Sequence, residues 1–124
     1  MAARVLIVDD NHSFLGAARM LLEREGLTVT AVASSTAEAL QAVEVSPPDV
    51  ILVDISLGEE SGLDLARRLA EADDGRERAT VILISTYTRA DFADVIAESS
   101  AAGFLPKAEL SADAIRRIVE DGSS

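Results

Sequence analysis

Apolar residues follow two rhythms that alternate along the chain. Arg4-Val5-Leu6-Ile7-Val8, Asp49-Val50-Ile51-Leu52-Val53 and Thr80-Val81-Ile82-Leu83-Ile84 are short runs without polar interruption. Such β-branched runs read as strands buried on both faces, as in a parallel sheet covered by helices. Thr28–Ala33 alternates like a half-buried strand and suits a sheet edge, and Gly103-Phe104-Leu105 is a short fifth strand before Pro106-Lys107. Helical spacing fills the intervals. With Ser13 as cap, Phe14, Leu15, Ala18, Met20, Leu21 and Leu22 make a wide apolar face that Gly26 ends. With Thr36 as N-cap, Ala37, Ala39, Leu40 and Val43 make a narrower stripe, closed by Pro47-Pro48. Leu63, Leu65, Ala66 and Leu69 point inward on a third helix, with Arg67 and Arg68 outward. A fourth runs from about Arg89 to Ser99 with Phe92, Val95 and Ile96 apolar. Ser111 caps the last, with Ala114, Ile115, Ile118 and Val119 inward.

Strand and helix thus alternate five times. That predicts an α/β fold with a parallel sheet, right-handed crossovers and helices on both faces. The charged stretch Asp73–Arg78 is a surface turn suited to insertion, and Gly122-Ser123-Ser124 is a tail. No repeat or low-complexity linker interrupts the 124 residues, a length that suits one domain. The absence of cysteine excludes disulfides, thiolate nucleophiles and Cys-based metal sites. A formal net charge of −11 makes direct nucleic-acid binding a poor fit, because phosphates are repelled. Solubility is the plainest reading of that charge. No basic segment precedes an apolar signal core, and no apolar run approaches membrane-spanning length. The expected location is cytoplasmic, without a membrane partner.

The strand ends carry the candidate chemistry. They are Asp9-Asp10, Asp54, Ser85-Thr86 and Lys107. A doubly wound sheet sets its C-terminal strand ends side by side, where ligands bind. Clustered carboxylates repel and are stable together only with a cation between them. A hard divalent ion such as Mg²⁺ takes such oxygens and tolerates phosphate. A carboxylate beside it can attack phosphorus, while an ammonium and a hydroxyl hold the other phosphoryl oxygens. Each residue alone has a plainer reading. Asp9-Asp10 can cap a helix, Ser85 and Thr86 can be turn residues, and Lys107 can be solvated surface. Their joint placement on four strand ends favours a site. His12, the single histidine, is best read as an incidental loop residue that can still tune the site with pH.

Val5–Asp10, Asp49–Asp54, Val81–Ser85 and Gly103–Lys107, in this order and spacing, resemble the receiver domain of two-component response regulators over essentially the whole chain. The resemblance implies a flavodoxin-like (βα)5 doubly wound five-stranded parallel sheet of order 2-1-3-4-5, with the receiver over residues 1–121 and a tail over 122–124. It implies Asp54 as phosphoacceptor and Asp10 as a direct Mg²⁺ ligand, with Mn²⁺ as the alternative ion. Asp9 positions the ion, and the backbone carbonyl of Ser56 completes the metal site. Ser85 is then the hydroxyl that closes on the phosphoryl group, Lys107 its contact, and Phe104 the switching aromatic. Ser56 and Tyr87 stand where the family gates water.

The expected function is a signalling switch that takes its phosphoryl group from a histidine kinase or phosphotransfer protein, catalysing only its own modification. Its output face is the fourth helix, fifth strand and fifth helix, where a homodimer can form. No output domain is present, so the chain reads as a single-domain regulator or the N-terminal part of a longer one. Some positions depart from the family pattern. Gly58 stands where a proline is usual, Thr86 where a small apolar residue is, and Ala108 where a proline follows the lysine. The last leaves the isomer of the Lys107–Ala108 bond open. The alternatives are a receiver-like binding or dimerisation module that is not phosphorylated, a small Mg²⁺ phosphohydrolase and a flavodoxin-like cofactor binder. The phosphohydrolase lacks a second acid at Ser56, and the cofactor binder lacks a phosphate loop at Asp9–His12.

Overall fold

The structure, a computed structural model, describes residues 3–57, 60–71, 79–86 and 101–122. Five parallel strands form its sheet. These are β1 (Arg4–Val8), β2 (Thr28–Ala33), β3 (Val50–Asp54), β4 (Thr80–Ser85) and β5 (Gly103–Pro106). Their order is β2-β1-β3-β4-β5, the 2-1-3-4-5 arrangement the resemblance implies. Helices α1 (His12–Arg24), α2 (Thr36–Val45) and α3 (Gly62–Glu71) and a C-terminal helix (Ala112–Gly122) flank it.

The unbroken apolar runs are explained by two cores. Successive strand residues point to opposite faces. Val5, Ile7, Val50, Leu52, Ile82, Ile84 and Leu105 pack with Leu15, Ala18 and Leu22 of α1 and with Ile115 of the C-terminal helix. Leu6, Val8, Ile51, Val53, Val81, Leu83 and Phe104 pack with Ala39 of α2 and with Leu65, Ala66 and Leu69 of α3. β2 lies at an edge, as its alternation predicts.

Several local expectations are corrected. Asn11, not Ser13, caps α1: its side chain accepts from Phe14 N–H at 3.1 Å. Asn ranks with Ser as a cap, and here it stands where the chain is still extended. Ser35, not Thr36, caps α2, accepting from Glu38 N–H at 3.2 Å, while the Glu38 carboxylate accepts from Ser34 N–H at 2.9 Å. This reciprocal arrangement resembles a capping box. Met20 is 63% exposed rather than inward, because two positions from both Ala18 and Leu22 is the far side of a helix. Ala37 is likewise exposed. After Asp54, Ser56–Leu57 pairs antiparallel with Glu60–Ser61. Lys107–Glu109 forms one 3-10 turn, and the Lys107–Ala108 bond is trans. The expected fourth helix, Tyr87, Gly58 and the Asp73–Arg78 turn lie outside the described residues.

Candidate functional site

The site grows from the ends of β1 and β3, which are neighbours with Val8 opposite Val53. Chain direction across the sheet reverses here, since β2 lies on one side of β1 and β3 on the other. That is the switch-point crevice of an open α/β sheet. The Asp9 N–H donates to the Ala33 carbonyl at 3.0 Å, which fixes the residue as β1 ends. Its carboxylate is fully buried, and Oδ1 accepts from Asn11 N–H at 2.9 Å. Asp10 is exposed. Asp54, the last residue of β3, is 7% exposed, and its Oδ1 accepts from Ser56 N–H at 3.0 Å.

Lys107 follows β5, two strands from β3, so its side chain crosses the end of β4. Its Nζ donates to Asp54 Oδ2 at 3.1 Å and lies 2.5 Å from Asp9 Oδ2. The second contact is a charge pairing without hydrogen-bond alignment. Nζ also lies 4.5 Å from the centre of the Phe14 ring on α1.

Burial pushes the Asp54 carboxyl above its ordinary range; the Ser56 N–H and Lys107 oppose the shift, and the Asp9 charge adds to it. Burial also works against the Lys107 ammonium, but the Asp9 and Asp54 carboxylates outweigh it and hold the lysine above its usual range.

Carboxylate oxygens of Asp9, Asp10 and Asp54 lie within 4.8 Å of one another. One ammonium balances one of three negative charges. Asp9 Oδ2 is buried and accepts no hydrogen bond from the described residues. An all-oxygen donor set with excess negative charge, and a buried Asp9 oxygen whose charge is met by the Lys107 ammonium alone, fits a hard divalent cation.

Ser85 is buried at the end of β4, opposite Pro106, and Thr86 beside it is exposed. Phe104 is buried on the α2–α3 side of the sheet. Ser56 is exposed, and its N–H is committed to Asp54. Three further residues shape the site. Asn11 ties Asp9 to the helix cap, Phe14 covers Lys107, and Gly62 lets the start of α3 touch the Asp54–Ile55 backbone. A sequence signal existed for Gly62, since an isolated glycine opening an apolar helix marks close backbone approach.

No helix among the described residues is long and apolar enough to cross a membrane. Residues 5–120 match the response regulator receiver domain family. The response regulator GacA of Pseudomonas viridiflava is 30% identical over 117 residues, 93% of this chain and 53% of that protein. The transcriptional regulatory protein CseB of Streptomyces coelicolor is 34% identical over 92 residues, 74% of this chain and 36% of that protein. The chain therefore spans about half or less of these curated relatives. A response regulator from Thermotoga maritima superposes with a TM-score of 0.77 at 26% identity, covering 100% of both chains. A response regulator from Burkholderia pseudomallei, solved with a phosphorylated aspartic acid, calcium ion and citrate, gives 0.76 at 28% identity. It covers 98% of this chain and 69% of that one. The fold, the strand-end acids and these matches agree: the chain belongs to the response regulator receiver domain family, the signal-receiving units of two-component systems.

Proposed function

We propose that Asp54 accepts a phosphoryl group from the phosphohistidine of a histidine kinase or phosphotransfer protein. The observation that carries this reading is the Lys107 ammonium held between the Asp9 and Asp54 carboxylates at the strand ends. An Asp54 oxygen attacks phosphorus and forms a P–O bond as the donor's P–N bond breaks. The imidazole leaves with the electron pair and takes its proton from solvent. Lys107 then exchanges part of its carboxylate contact for the phosphoryl oxygens, and the Ser85 hydroxyl donates to another. Asp9, Asp10, Asp54 and the Ser56 carbonyl would hold Mg²⁺, or Mn²⁺ in its place, which supplies positive charge for the phosphoryl oxygens in flight. The phosphorylated aspartic acid and the cation of the Burkholderia pseudomallei relative support this reading.

The readout is a change of surface. Ser85 moves toward the new charge, and Phe104 repacks into the space it leaves. That alters the face to which β5 and the C-terminal helix belong, where a second copy or an output partner docks. The transcriptional regulatory protein among the relatives supports an output in the control of transcription, and the net charge of −11 speaks against direct DNA contact by this domain. The protein is a switch in the cytoplasm and turns over no metabolite.

Incubation with a small phosphodonor and Mg²⁺ is expected to add one phosphoryl group to the intact mass of the parent and none to Asp54→Ala. No gain in folded parent would favour a binding module that is not phosphorylated. Tyr87, two residues past Ser85, is expected to slow hydrolysis by shielding the phosphoryl group from water. Phosphate loss should then be faster in Tyr87→Ala, and equal decay rates would remove that role.

A further inference from the structure

We propose that Phe14 is a positioning residue for phosphoryl transfer, holding the Lys107 ammonium over the carboxylate pair through the face of its ring; this rests on Asp54 being the phosphoacceptor. The ring centre lies 4.5 Å from Nζ, inside the range of a cation–π contact. Phe14 is half-buried and packs against the core beneath α1, so its ring is anchored from below. The cap fixes it too, because the Phe14 N–H donates to Asn11 Oδ1 and the Asn11 N–H donates to Asp9 Oδ1. Ring and buried carboxylate are thus linked through one residue.

The contact solves a problem of reach. Lysine is a flexible chain with a strongly hydrated head. Lys107 must cross the end of β4 to reach Asp54, and an ammonium there would otherwise be drawn toward water. Its side chain is only 12% exposed. The ring replaces lost hydration on one side of Nζ with the negative face of a quadrupole, while the carboxylates hold the others. The ammonium is therefore already in place when the phosphoryl group arrives, and orienting a charged group beforehand lowers the barrier to transfer.

Phe14→Leu and Phe14→Tyr separate ring from bulk. Leucine keeps an apolar side chain without a quadrupole, whereas tyrosine keeps the ring face. The first readout needs no phosphorylation: the Lys107 ε-methylene protons should be shifted upfield by the ring in the parent and in Phe14→Tyr, and not in Phe14→Leu. The second is the rate of phosphoryl uptake from a small phosphodonor at saturating Mg²⁺. It is expected to fall about three- to tenfold in Phe14→Leu and to be restored in Phe14→Tyr. Circular dichroism and the melting temperature verify that each variant is folded. If Phe14→Leu folds and takes up phosphate at the parent rate, the ring does not position the lysine. If Phe14→Tyr falls as far as Phe14→Leu, the role is packing alone, and the proposal fails. A parent that takes up no phosphate would overturn the phosphoacceptor reading instead, while the proton shifts still report the ring contact.

Discussion

A Gly62→Ala variant is expected to be destabilised by about 3 kcal/mol or more, near the upper end for single substitutions. A Cβ at residue 62 would stand 1.8 Å from the Asp54 carbonyl oxygen, 2.7 Å from its carbonyl carbon and 3.0 Å from Ile55 Cα. All three are backbone atoms, so no rotamer change relieves the overlap. Either α3 must withdraw from the sheet or the Asp54–Ile55 peptide must move. The first strains the bond from Gly62 N–H to the Ile55 carbonyl, 2.9 Å long, and uncovers the core that Leu65 and Ala66 fill. The second shifts the residue that bears the candidate phosphoacceptor. Helix propensity alone has the opposite sign, favouring alanine over glycine by up to about 1 kcal/mol. The direction of the change therefore discriminates between causes. Urea unfolding of parent and variant measures it, and a variant at least as stable as the parent would show that this close approach is not made. In the same samples, phosphoryl uptake is expected to fall with the disturbed Asp54.

What could be read in the sequence, and what could not, divides along the range of the interactions. The strands were legible because residues such as Ile51 and Leu52 face different cores and are both buried, which leaves runs with no polar alternation. The convergence of Asp9, Asp54 and Lys107 was legible because a parallel sheet aligns its C-terminal strand ends whatever the loops do. Cap positions were less so: Asn11 and Ser13 are both capable, and only the backbone geometry at residue 11 decides between them. Phe14 could be assigned to an apolar helix face, but periodicity does not say that its ring turns toward a lysine more than 90 residues on. Gly62 carried a signal without a partner, since nothing local to it shows that the neighbour is the Asp54 carbonyl.

Removing the lysine head should reveal how much of the fold's stability the site consumes. Lys107→Ala is expected to be destabilised at neutral pH, in the presence of a chelator, by about 3–5 kcal/mol, the usual cost of deleting one partner of a buried ion pair. The variant leaves Asp9, fully buried, facing Asp54 with no cation between them. The pH dependence follows from Asp54. Its carboxyl is already held above its ordinary range, mainly by burial. The folded state therefore binds that proton more tightly than the unfolded chain does. Its stabilising effect is full below the unfolded value and is lost as pH rises through the folded one. Without Lys107 a restraint on that upward shift is gone, so the loss extends to higher pH. The gap between parent and variant should be widest near neutrality and narrow as the Asp54 carboxyl protonates in acid. Adding Mg²⁺ should narrow it at constant pH, because a divalent cation replaces the missing charge. Combining Lys107→Ala with Asp54→Asn should recover much of the loss, since one carboxylate alone no longer faces another. Thermal unfolding from acid to neutral pH, with and without Mg²⁺, checks each point. A gap that ignores both pH and Mg²⁺ would mean that Lys107 supports the fold through its methylene stem rather than through its charge.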